Sequence, residues 1–82
     1  MRTLKPAEAE FIRECIGTPD LSDYEEPSDD DFALGESLLN RGYLAVTEIE
    51  DDDIIYEFYV TTSYGILALR CYDMSRLALV AA

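Results

Sequence analysis

Apolar positions recur with helical spacing near the start of the chain. In PAEAEFIRECIG, Phe11, Ile12, Cys15 and Ile16 fall at i, i+1, i+4 and i+5, which predicts a helix with one buried stripe. Pro6 suits its first turn, Glu8 and Glu10 favour the positive end of its dipole, and Gly17 is placed to close it. Thr18 and Pro19 then offer a cap, and residues 20–25 are expected to add one or two helical turns with Leu21 and Tyr24 inward, ended by Pro27. Ser28 is the N-cap of the next helix. Phe32, Leu34, Leu38 and Leu39 form its apolar face, Gly35 weakens its interior, and Gly42 is free to take the left-handed closing conformation.

The period then changes from helical to alternating. Residues 43–49 and 54–60 read as strands; in the second, Ile54, Tyr56, Phe58 and Val60 alternate with Ile55, Glu57 and Tyr59. The four acids Glu50, Asp51, Asp52 and Asp53 lie between them, and their mutual repulsion predicts an open, solvated loop. Thr61, Thr62 and Ser63 cap a last helix over 64–82, apolar on more than one face. The expectation is a single α+β domain over residues 1–82, with three to four helices and a two-stranded antiparallel hairpin.

Charge changes this picture more than size does. The net charge is −12, and from Glu14 to Leu69 the chain has 15 Asp or Glu residues against one base, Arg41. Arg2, Lys5, Arg13, Arg70 and Arg76 lie nearer the ends. A chain this acidic repels nucleic acid and anionic membranes, so its natural partners are basic surfaces. No apolar run approaches the roughly 20 residues of a membrane span, and no signal-peptide pattern opens the chain. Cys15 and Cys71 fall in helical patterns without CxxC spacing, so two buried, reduced thiols in a cytoplasmic protein are expected, with an interhelical bridge as the alternative.

Little here points to enzyme chemistry. The chain has no histidine, which excludes imidazole zinc sites and Ser-His or Cys-His pairs. The acid runs lack the alternating spacing, sixth-position Gly and twelfth-position Glu of a calcium loop. No enzymatic activity, metal or cofactor is expected.

The order of elements, and the segment LLNRGYLAV…IIYEFYVTTSYGILAL over 38–69, resembles a winged-helix domain. The resemblance rests on Leu38, Leu39, Arg41, Gly42, Tyr43 and Leu44, then Tyr56, Val60, Thr61, Gly65 and Ala68. It implies that 28–41 holds the position of the recognition helix and 50–53 that of the wing tip. In DNA-binding members these elements offer Arg and Lys to the duplex. This chain offers Asp29, Asp30, Asp31, Glu36, Glu50, Asp51, Asp52 and Asp53, so direct nucleic-acid contact is not expected. In size and charge the chain also resembles the small acidic inhibitors of phages, among them anti-CRISPR proteins that block a DNA- or PAM-reading surface.

These observations combine into one expectation. The chain is a DNA mimic that binds a basic nucleic-acid-binding protein or complex, such as a Cas effector in a bacterial host. Its partner-binding residues would be those eight acids, with Tyr59 as an aromatic anchor beside them. The alternative is a small adaptor or regulator subunit that forms a homodimer through residues 64–82, its acids serving only as a solvated face.

Overall fold

The fold, a computed structural model, describes residues 4–81, with side chains through Leu77. It is α+β: helices α1 (Pro6–Glu14), α2 (Asp29–Asn40) and α3 (Ser63–Ala81) surround the base of an antiparallel hairpin of β1 (Leu44–Asp51) and β2 (Ile54–Thr61). Among the described residues the core is small. Leu4, Ala9, Ile12, Leu38, Tyr43, Leu44, Ala68 and Leu69 are buried, and Phe11, Cys15, Leu34, Tyr59 and Tyr72 pack against them.

Local signals set several boundaries as expected. The Ser28 hydroxyl accepts from the Asp31 N–H at 3.2 Å, and Asp29, Asp30 and Asp31 fill the first turn of α2. Gly42 follows α2 with φ +82°. The Thr62 hydroxyl accepts from the Gly65 N–H at 3.0 Å as the cap of α3. Gly65 lets α3 approach closely, because a Cβ there would collide with the carbonyl oxygen of Tyr43.

Other boundaries answer to distant partners. Helix α1 stops at Glu14, short of Gly17, because the β2 end takes its terminal carbonyls: Ile12 O accepts from the Thr61 hydroxyl (2.6 Å) and Cys15 O from the Thr61 N–H (3.0 Å). Ile16, expected in the buried stripe, is therefore carried outward and is exposed. Residues 20–25 form only a 3₁₀ turn, Leu21–Asp23, whose start is fixed by the Asp20 side chain accepting from Ser22 N–H. The hairpin tip is not an open loop. Asp51 pairs with Ile54, leaving a two-residue turn in which Asp52 (φ 49°) and Asp53 (φ 64°) both take the left-handed region, the signature of a I′ turn. The ladder behind it, eight residues on each strand, outweighs the charge repulsion at its end.

The thiols are unbridged as expected but differ from expectation in burial. Both are free, Cys15 half-buried at the end of α1 and Cys71 exposed on α3.

Candidate partner-binding surface

The hairpin has two faces. Leu44, Val46, Glu48 and Glu50 share one with Thr61, Tyr59, Glu57 and Ile55, since residues paired across the ladder point the same way. The base of that face packs on the core, and its outer part faces α2 across an open groove. On the opposite face the ring of Tyr24 meets those of Tyr56 and Phe58 edge-on, at 4.9 and 5.5 Å. That contact ties the acidic segment 20–27 to β2.

Two clefts flank β2. The first, about 460 Å³, lies between the end of α1, the segment 16–27 and β2. Carboxylates from α1, the segment 16–27, α2 and β2 border it, among them Glu14, Asp20, Glu25, Glu26, Asp31 and Glu57, and no base lines it among the described residues. The second, about 470 Å³, lies between α2 and the hairpin; Phe32, Leu39, Val46 and Ile55 give it an apolar lining and Glu36, Glu48 and Glu57 an acidic rim.

The expected site residues thus fall into three groups. Asp31 joins the acids of the first cleft, and Glu36 belongs to the second. Asp29, Asp30, Glu50, Asp51, Asp52 and Asp53 are exposed and line neither; the last four form the hairpin tip. Tyr59 is not the exposed anchor expected of it. It is half-buried, with its ring seated on Gly35 of α2 and edge-on to Phe11 at 6.0 Å. Burial, with help from Glu36 and Glu57, raises its phenol pKa above the ordinary value. Phe32, expected in the core, is 52 % exposed at the second cleft.

Glu57 and Glu48 were not among the expected partner-binding residues. Glu57 borders both clefts, and Glu48 stands directly across the ladder from it. A two-residue turn at 52–53 would have revealed that pairing, because turn length fixes register.

Two bases are engaged away from this surface. Arg41 donates to the Glu8 carboxylate at 2.7 Å, the two side chains being 20 % and 11 % exposed. Its guanidinium carbon lies 4.9 Å from the centre of the Tyr43 ring, and Nη2 is buried with no acceptor among the described residues. Arg13 pairs with Asp73 on α3 at 2.8 Å, across the helices. These are the two ion pairs among the described residues, and neither uses an acid between Asp20 and Glu57. Arg2 lies outside the described residues.

Among the described residues no three Cys, Asp or Glu side chains converge to hold a metal ion, and no helix is long and apolar enough to cross a membrane. Helix α3 presents a further apolar stripe: Leu67, Met74 and Leu77 are exposed, beside Arg70 and Cys71. Side chains 78–82, part of the expected dimer segment, lie outside the described residues. Comparison with protein families, curated proteins and solved structures found no match to this chain.

Proposed function

We propose that the chain is an acidic inhibitor on a winged-helix-like scaffold, which occupies the nucleic-acid-binding surface of a basic partner protein in place of DNA. One observation carries the reading. Arg41, the base of the central segment, is held inward by Glu8 and Tyr43, while the acids on the surrounding surface have no basic partner among the described residues. A merely solubilising surface gains nothing from hiding its cation. Asp29, Asp30 and Asp31 and the tip acids would engage Arg and Lys that otherwise hold phosphates. A Cas effector, with its positively charged DNA channel and PAM-reading Arg, is the partner class in view. The mimicry is of a patch. A duplex of 54 Å, the long axis of this molecule, bears about 32 phosphates, against the chain's 18 carboxylates.

The test is capture from nuclease-treated bacterial lysate with the tagged chain, followed by elution with duplex DNA. A nucleic-acid-binding complex released by DNA, and not retained by an Asp51→Asn/Asp52→Asn/Asp53→Asn variant, supports the reading. Retention of the same complex by that variant removes the tip from it.

A second reading, the α3-mediated homodimer, draws on exposed Leu67, Met74 and Leu77 at helical spacings of seven and three. Sedimentation of the parent and of Leu67→Ser/Met74→Ser separates the two: a dimer lost in the variant favours the adaptor.

A further inference from the structure

The groove between α2 and the hairpin combines two features that are costly for the free protein. Phe32, Val46 and Ile55 are 52 %, 44 % and 59 % exposed, so three large apolar side chains meet water in one cleft. Around them stand Glu36, Glu48 and Glu57, with no base in the lining among the described residues. Glu48 and Glu57 are direct cross-strand partners, and like charges at such positions oppose strand pairing. The surrounding field is negative enough to help raise the Tyr59 phenol, after burial. Apolar lining alone would suit many occupants. The carboxylate rim narrows the choice, since it repels a neutral-to-acidic segment and anionic lipid and attracts ammonium or guanidinium groups.

We infer that this groove receives a segment of the partner protein in which a large apolar side chain is flanked by Lys or Arg. The apolar side chain lies among Phe32, Val46 and Ile55, and the cations reach Glu48, Glu57 and Glu36. The inference rests on the inhibitor reading and deepens it. The acidic tip supplies long-range attraction, which any cationic surface satisfies, whereas the groove demands an apolar anchor at a fixed distance from the charge. Discrimination among basic partners would come from the groove, because apolar anchors in desolvated pockets carry most of the energy of typical interfaces.

Two labelled synthetic peptides test this on the full chain: one of Lys and Leu in amphipathic order, and one with the same Lys positions and Ser for every Leu. At about 0.1 M salt the Leu peptide is expected to bind about tenfold or more tighter, the gain from burying one anchor. Phe32→Ser and Ile55→Ser, both at exposed positions and checked for an unchanged circular dichroism spectrum, should bring the Leu peptide to the level of the Ser peptide. Met74→Ser, on the exposed stripe of α3, should not. Glu48→Gln/Glu57→Gln should weaken both peptides.

If the two peptides bind alike, or Phe32→Ser leaves the Leu peptide unaffected, the groove is not the site. If in that case an Asp51→Asn/Asp52→Asn/Asp53→Asn variant still weakens both peptides, the inhibitor reading survives without it. If neither peptide binds, both fall. Concentration-dependent self-association abolished by Phe32→Ser would make a second copy the occupant and overturn the inference.

Discussion

A methyl group at position 65 has nowhere to go. It would run into the carbonyl oxygen of Tyr43 and the methyl of Thr61, and the backbone oxygen is fixed by accepting from the Thr62 N–H at 3.1 Å. A methyl at position 35 instead meets the ring of Tyr59, the far end of a side chain that borders both clefts and can shift more readily than a hydrogen-bonded backbone oxygen. Helix propensity favours Ala over Gly by about 1 kcal/mol at either place, and overlap in a packed site costs about 1–3 kcal/mol. Gly65→Ala is therefore expected to lose about 2 kcal/mol and Gly35→Ala less than about 1 kcal/mol, read as denaturant midpoints at constant slope. The reverse order would mean that α3 is not seated on Tyr43. The half-buried thiol gives a pH prediction. Burial, aided by Glu14, pushes the Cys15 pKa up to about 11 from 9.0, so the folded state holds its proton more tightly than the unfolded chain. That stability is whole below the unfolded value of 9.0 and is lost as pH rises through about 11. Tyr59, raised chiefly by burial, acts in the same direction at alkaline pH. Urea midpoints should fall above pH 9, and less steeply in Cys15→Ala. Near neutral pH a thiol reagent should modify exposed Cys71 well before Cys15.

At the scale of elements, the hairpin sets folding against the binding proposed for its tip. Its turn places two Asp residues at positive φ, where Asn-Gly is the favoured pair. Replacing Asp52 by Asn and Asp53 by Gly removes two like charges and one strained left-handed residue. The change should stabilise the fold by about 0.5–1 kcal/mol while weakening capture of a basic partner. Unchanged capture would show that the tip acids are not used. This turn also shows where a sequence stops being readable. Ser28, Gly42 and Thr62 act as caps within a few residues of themselves, and each was legible. The end of α1 was not, because the group that satisfies its carbonyls, Thr61, lies nearly fifty residues away. The tip was misread because repulsion between neighbours is visible in a string of acids, while the ladder that overrides it depends on pairing. Alternation in β2 separated Tyr59 from Phe58 correctly, but not which of them would meet α2. In the structure it is Tyr59, whose ring sits over Gly35, while Phe32 lines the groove. The acids of the candidate site were legible by composition; the clefts that organise some of them were not.

For the whole molecule, one set of charges should produce two opposite salt responses. The acids between Asp20 and Glu57 repel one another with no ion pair among the described residues to offset them, so screening should stabilise the free protein. Two carboxylates about 6 Å apart in water oppose each other by roughly 0.7 kcal/mol, and the screening length shrinks from about 30 Å at 0.01 M salt to less than 10 Å above 0.1 M. A few such pairs relieved together amount to about 1 kcal/mol, which for a domain of this size raises Tm by about 4–8 °C. Capture of a basic partner should weaken over the same range, because screening removes the attraction that replaces phosphate. The pairing of the two slopes is informative. A solvated face predicts the rise in Tm alone, with no partner whose affinity falls. Self-association through the apolar stripe of α3 predicts assembly that is insensitive to salt or strengthened by it, since bringing two chains of charge −12 together is itself opposed by repulsion. The Asp51→Asn/Asp52→Asn/Asp53→Asn variant links the measurements. If the tip acids both repel one another and bind, that variant should flatten the rise of Tm with salt and the loss of partner affinity together. A variant that flattens the first and leaves the second steep would move the binding charge from the tip to the acids of the clefts.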